Sequence, residues 1–253
     1  MANTLWVKRN HAAQTSTVFK TPLPEADPNY PVTNLRDPDR YVVTVYPVGG
    51  AFDAIYYLDI GVNRTTHVAG LLGLTQGNGL FPQSWYLRRG AVFPEDGSWA
   101  DVVSGQGLDQ NQRDDLYTLP APVTSRYWKF TLPGASFGYS LGKFLLGETL
   151  DLGVSFSPGS SETLIRQRVG NQTVMGVNFK TTTGPDRRRF SLLFAAVPGT
   201  LKDNLVAMAT AAPFVFIHPT FGLCEADLVD DSLTVANRFG DVWDITLEVE
   251  QLP

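Results

Sequence analysis

Cysteine is almost missing from this chain. Cys224 is the single one among 253 residues, which excludes a disulfide framework and any cysteine-rich zinc site. Charge is scarce too, at 18% of residues, against about 25% in an ordinary soluble domain. Either much of the surface is polar and uncharged, or part of it is covered by partners. An excess of basic residues is also lacking. The net charge is −5, which argues against duplex nucleic acid as a partner. Long apolar runs are absent: the best, Leu205 to Ile217, is broken by Thr210 and Pro213 and falls short of the ~18 residues of a membrane span. Met1 to Lys20 holds no apolar core of a secretory leader. The expectation is a chain without membrane insertion that folds or assembles in a cytoplasm, a compartment that suits the unpaired Cys224. What is present is apolar and aromatic: 43% and 11% of residues, enough for a real core and too much for disorder. Gly (23) and Pro (17) are spread along the whole chain, favouring many short strands over long helices.

Three regions follow from the pattern. Residues 1–29 are polar and end in Pro22, Pro24 and Pro28, which fit neither a helix interior nor a central strand. They read as an extended arm with one strand around Leu5 to Val7. Residues 30–157 show repeated short strands. Tyr56, Leu58 and Ile60 alternate with Ile55, Tyr57 and Asp59, and Trp85 and Leu87 with Tyr86 and Arg88. Trp128, Phe130 and Leu132 oppose Tyr127, Lys129 and Thr131, with Pro133-Gly134 expected to end that strand. This is the spacing of an all-β sandwich of jelly-roll type. Residues 158–253 form a second β-rich region. It opens with a predicted hairpin of Thr163–Val169 and Thr173–Lys180 turning at Gly170-Asn171. A strand over Arg187 to Val197 then puts Phe190, Leu192, Phe194 and Ala196 on one face. One helix is predicted near 200–211, capped by Thr200, with Leu201, Leu205 and Met208 on one side and Pro213 as its stop. The last strand, Val242 to Val249, places Trp243, Ile245, Leu247 and Val249 together.

Charge is distributed unevenly. Residues 158–202 carry seven basic and two acidic residues, whereas 225–253 carry eight acidic residues and Arg238. Two readings stay open. Either the two faces are solvated and partly neutralise each other within one domain, or the basic face of one subunit meets the acidic face of the next, as heterologous contacts in a ring do. On the second reading the candidate interface residues are Arg166, Arg168, Arg187, Arg188 and Arg189 on the basic side, with Asp227, Asp230, Asp231, Glu248 and Glu250 on the acidic side.

Motifs for catalysis are not found. His11, His67 and His218 have no partner at metal-ligand spacing, and His67 reads as a hydrogen-bonded strand residue. Cys224 and His218 lack any nucleophile signature, so Cys224 reads as a buried structural thiol. Gly73 to Gly79 lacks the Gly-Lys-Ser/Thr of a phosphate loop. Asp96 and Asp101 lack the twelfth-position Glu of a calcium loop and read as a solvated loop. No catalytic residue, metal ligand or cofactor is nominated, and the chain is not expected to be an enzyme. An enzyme acting on polysaccharide would need two converging carboxylates, and none can be picked out. Sugar recognition has more to work with. Trp85, Tyr86, Phe93 and Trp99 lie in one loop-rich stretch with Arg88, Arg89, Asp96 and Asp101. Aromatic faces beside bidentate groups suit sugar rings, which combine C–H faces with hydroxyls. Trp85 and Phe93 read as core, leaving Tyr86, Arg88, Trp99 and Asp101 as candidate glycan contacts.

Three further segments occur in a telling order. They are Tyr30-Pro31-Val32-Thr33-Asn34-Leu35-Arg36-Asp37-Pro38; then Ile55-Tyr56-Tyr57-Leu58-Asp59-Ile60-Gly61 followed by Val68-Ala69-Gly70-Leu71-Leu72-Gly73-Leu74; then Arg126-Tyr127-Trp128-Lys129-Phe130 followed by Leu141-Gly142-Lys143-Phe144-Leu145-Leu146-Gly147. Together they resemble tailed-bacteriophage distal tail proteins that carry a discoidin-like (galactose-binding-like) jelly roll. The likeness covers roughly residues 30–150 and continues loosely into Arg166–Lys180 and Arg187-Arg188-Arg189-Phe190. The chain departs from the family's pattern at Thr75-Gln76, where His-Asn is usual. The resemblance implies a structural virion protein at the tail tip, assembled in the host cytoplasm. It would form a homo-oligomeric, hexameric ring between the tail tube protein and the hub or baseplate proteins, near the tape measure protein. Residues 158–253, completed by the N-terminal arm, would build the ring, and the jelly roll would project outward. The alternative is a carbohydrate-binding adhesin module that contacts host surface glycans.

Overall fold

The computed structural model describes residues 5–12, 18–20, 44–45, 51–74, 84–93, 98–108, 114–136, 140–151, 157, 159–165, 168–172, 178–182, 187–210, 214–218 and 222–251. Outside them lie the Pro22–Pro28 segment, Tyr30–Pro38, Thr75-Gln76, Asp96, Arg166 and Pro213, as do the side chains of Arg168, His218, Asp230 and Asp231. The strands in chain order are β1 Leu5–Asn10, β2 Val18–Lys20, β3 Thr44–Val45, β4 Ala51–Leu72, β5 Ser84–Gly90, β6 Ala100–Gly107, β7 Asp115–Ser136, β8 Ser140–Leu141 and β9 Lys143–Asp151. There follow β10 Ser161–Ile165, β11 Arg168–Gln172, β12 Asn178–Thr182, β13 Arg187–Pro198, helix α1 Gly199–Ala209, β14 Phe214–His218, β15 Gly222–Phe239 and β16 Val242–Gln251. The chain is all-β with one helix, as the short strand spacings predict. It divides into two compact units, residues 9–149 and residues 1–8 with 150–253.

In the 9–149 unit the order of pairing is β9-β4-β7-β5-β6, all antiparallel, with β2 on β4. β4 and β7 are each 22 residues long and pair along most of their length. Their two halves contribute to facing layers of one core. Tyr56 and Phe130 come from one layer and Phe144 from the other, with ring centroids 4.8 Å (Tyr56–Phe144) and 4.2 Å (Phe130–Phe144) apart. Of the alternating residues, Tyr56, Leu58, Trp85, Leu87, Trp128, Phe130 and Leu132 are the fully buried set. Alternation has a simple cause: successive side chains in a strand point to opposite faces, so one face can be dry and the other wet. Trp85 is buried whole because its indole N–H donates to Asp115 Oδ2 at 2.5 Å.

The strand end predicted at Pro133-Gly134 is a bulge instead, and a second bulge lies at Gly61. Asp59 faces Tyr127 and Arg64 faces Ser125, so Ile60, Gly61, Val62 and Asn63 lie opposite the single residue Arg126. Gly61 takes the left-handed backbone (φ 84°) that lets β4 swell there and then resume pairing to Leu72. Likewise Pro133-Gly134 does not end β7. Phe52 faces Ala135 and Ala54 faces Leu132, so the two residues are absorbed opposite Asp53, and the missing N–H of Pro133 costs no ladder bond.

In the other unit β1 pairs with β14, then β14-β15-β16-β13-β10 follow, again antiparallel. Phe190, Leu192 and Phe194 are buried against Ile245, Leu247 and Val249, with Leu205 and Met208 of α1 in the same core. Ala196, predicted to follow Phe194 inward, is exposed, and Val197 takes the buried place. A bulge between Phe194 and Val197 shifts the alternation by one, with Ala196 at φ 58°. Gly170-Asn171 is no turn: both residues sit in β11, opposite Lys180 and Phe179 of β12. Thr200 does not cap α1. Pro198 is the N-cap and offers no side-chain bond, while the first amide, Gly199 N–H, donates to the backbone and carboxylate oxygens of Asp241 at 3.2 and 3.3 Å. Cys224 is buried in this core.

Candidate functional site

The β4 bulge shapes a cleft of about 510 Å³ in the 9–149 unit. One wall is Thr124, Ser125, Arg126 and Tyr127 of β7; another is Arg89, Gly90 and Ala91 at the end of β5; Ser98, Ala100 and Asn63 complete it. Four residues looping out against Arg126 leave its side chain room to fold back over the sheet. There it meets Asp59. Arg126 Nε donates to Asp59 Oδ1 at 2.7 Å and Nη2 to Oδ2 at 2.8 Å, the planar two-pronged geometry that guanidinium and carboxylate share. The Gly61 amide adds a third bond to Oδ1 at 2.8 Å. The Arg126 bonds hold the Asp59 carboxyl below the ordinary carboxylate range, against the opposing effect of burial and with help from the Gly61 N–H.

Beside this pair is an aromatic platform. The Arg126 guanidinium lies 4.9 Å from the Tyr127 ring centre, and Tyr127 stacks on Phe93 at 5.8 Å and 22°. Ser125 Oγ donates to the Tyr127 carbonyl at 3.0 Å, tying down the backbone beneath the ring. The Thr65 and Thr124 hydroxyls meet at 2.9 Å. The arrangement therefore offers aromatic surface, a fixed cation–carboxylate pair and hydroxyls, which together suit the C–H groups and hydroxyls of a polyol ring.

The four predicted glycan contacts sit together on the outer face of the same sheet rather than in the cleft. Tyr57, Lys129, Arg88 and Asp101 form one row across β4, β7, β5 and β6, closed by the Arg88 Nε–Asp101 Oδ1 bond at 2.5 Å. Trp99 lies on Gly90, where any Cβ would come within 2.9 Å of the indole, and its ring is 5.5 Å from Tyr57. Tyr86 packs over Gly105. Lys129 lies 5.5 Å from the Tyr57 ring; burial and the neighbouring Arg88 lower its pKa, with Asp53 opposing. Phe93, read as core, is half-buried and part of the platform. His67 lies in β4, and its Nδ1 has no hydrogen-bond partner among the described residues.

Sequence reasoning missed Arg126, Tyr127 and Asp59 as site residues although it singled out their segments. Asp59-Ile60-Gly61 and Arg126-Tyr127-Trp128 are 67 residues apart, and the fold joins them through one ion pair.

No family model and no curated protein matches the sequence. Solved structures do align with it. One titled CpGH89CBM32-6, from Clostridium perfringens, shares 15% identity over 55% of this chain and 99% of its own, with a TM-score of 0.42. The family 32 carbohydrate-binding module of NanJ from the same organism, in complex with galactose, shares 13% over 56% of this chain and 99% of its own, TM-score 0.46. A GH29 fucosidase from Ruminococcus gnavus, in complex with fucose, shares 13% over 57% of this chain but 27% of its own, TM-score 0.44. Likeness at this level says nothing of ligand or activity for this chain.

Three of the arginines nominated for an interface between subunits have acidic partners within the chain. Arg187 and Arg189 reach the two oxygens of Glu250 at 3.4 and 3.2 Å, and Arg188 reaches Glu162 at 3.0 Å. Arg189 and Glu250 are register partners on β13 and β16. Asp227 accepts the Leu228 amide at 2.8 Å, and Glu248 lies opposite Ser191. Among the described residues no group of three His, Cys, Asp or Glu could hold a metal ion, and no helix is long and apolar enough to cross a membrane.

Proposed function

We propose that this chain is a non-catalytic carbohydrate-recognition protein whose 9–149 unit binds a glycan in the cleft at the β4 bulge. The observation that carries this reading is a cleft lined by Tyr127, which stacks on Phe93, and by Arg126, which Asp59 holds in place. A ring face accepts the C–H side of a sugar, and locked polar groups cost little to organise when hydroxyls arrive. The experiment is a glycan array probed with the full chain, followed by titration of retained glycans into wild type and Tyr127→Ala. Loss of the ring should weaken binding by about tenfold or more. An empty array, or equal binding by both proteins, would sink the proposal.

A second reading keeps the ring-forming tail-tip protein. It is favoured by the N-terminal strand: Trp6 and Val7 of β1 pair with β14, so residues 1–8 belong with residues 150–253, while β2 of the same arm pairs with β4 in the other unit. Its partners would be further copies of itself, tail tube protein and hub or baseplate proteins, and the glycan cleft would then serve host contact. Negative-stain microscopy with native mass spectrometry decides it: closed rings support the reading, and a monodisperse monomer overturns it.

A further inference from the structure

Resting on the glycan reading of the cleft, we infer that its preferred ligand is an acidic saccharide whose carboxylate is taken by Arg89. The two guanidinium groups that line the cleft stand in different states. Arg126 has both of its prongs spent on Asp59, so that pair brings no net charge to a ligand. Arg89 is exposed and, among the described residues, no carboxylate or other side chain pairs with it. Among the described residues, no Asp or Glu lines the cleft. The lining is thus Asn, Ser, Thr, Tyr, small residues and one uncommitted cation.

Strand geometry explains the split. In β5, Arg88 lies opposite Asp101 and is held by it, while Arg89 is the next residue and projects to the other side of the strand, away from that acid. A planar guanidinium with open prongs matches a carboxylate through two parallel hydrogen bonds, a geometry a neutral hydroxyl cannot complete. A neutral sugar would leave the charge of Arg89 to water. A hexuronate or sialate residue seated in the cleft, whose lining holds both Arg89 and Tyr127, would engage it.

The test uses the full chain and matched probes. Uronate-bearing and sialate-bearing oligosaccharides are titrated beside their carboxyl-reduced counterparts and a sulfated neutral oligosaccharide, in low salt. One carboxylate probe should bind about tenfold more tightly than its reduced partner, and the two carboxylate arms tell which acid is used. Arg89→Gln should bring that ratio close to one. Arg238→Gln, in the other unit, should leave it in place. Equal binding of acidic and reduced probes, a preference for sulfate over both carboxylates, or a ratio that survives Arg89→Gln overturns this inference and leaves the glycan reading intact. If no oligosaccharide of either kind binds, the glycan reading falls and this inference with it.

Discussion

Asp59 does two jobs at the level of single residues: it fixes Arg126 and it accepts the amide that shapes the bulge. Its pKa is depressed in the fold by those bonds, so the stability it supplies is complete above the ordinary carboxylate pKa of about 4 and is lost as pH falls through the lower folded value. Urea titrations of wild type and Asp59→Asn should therefore show a stability gap that is constant from about pH 5 to 7 and closes below about pH 4. A gap that persists unchanged in acid would show that the carboxylate charge is not the cause. Ala196 makes a different case. Its left-handed backbone costs a residue with a Cβ about 1–2 kcal/mol, and its amide is held there by Asp244 Oδ1 at 2.8 Å. Ala196→Gly should stabilise the chain by up to about 1 kcal/mol, whereas Ala195→Gly, one residue earlier in the same bulge, should cost about 0.5–1 kcal/mol. Thermal melts of the two variants give the comparison.

Among the elements, α1 shows how a helix without its own cap is held. Pro198 presets the entry but donates and accepts nothing through its side chain. Asp241, at the turn between β15 and β16, supplies the missing acceptor and places a carboxylate near the positive end of the helix. Gly199 is needed because a Cβ would run into that carboxylate. Trp243 N–H also donates to Asp241 at 3.3 Å, and Lys202 lies 4.4 Å over the Trp243 ring. Asp241→Ala should cost about 0.5–2 kcal/mol, and hydrogen exchange should locate the loss in the first turn of α1. A loss spread evenly over both units would contradict a capping role.

For the whole molecule, each unit has its own apolar core, and the two clusters share no residue. Phe130 is fully buried between Trp85 and Phe144. Phe130→Ala should cost about 3–5 kcal/mol and raise amide exchange in β4, β5 and β7, while β13, β16 and α1 keep their protection. Equal deprotection of both units would show instead that they unfold together. The paired arginines bear on assembly at this scale. Arg187 and Arg189 share Glu250, and Arg188 pairs with Glu162 of the same chain; these are part-exposed pairs worth little each, and Glu250 is the one acid of residues 225–253 among them.

Alternation of apolar and polar residues was enough, from sequence, to give the strand class, the residues that share a face in β4, β5, β7, β16 and most of β13, and the apolar side of α1. That signal is local, because a strand repeats every two residues and a helix every 3.6. It also gathered Tyr86, Arg88, Trp99 and Asp101, which do share one face. What it could not supply was the site. Pro133-Gly134 looks like a strand end, and only the register of β4 on β7 makes it, and Gly61, bulges. The cleft exists because one of those bulges leaves Arg126 facing four residues, and Asp59 becomes its partner only when strands 67 residues apart are laid side by side. Local pattern decides which way a side chain points. Pairing between distant strands decides what it meets, and the chemistry of this cleft depends on what Arg126 and Arg89 meet.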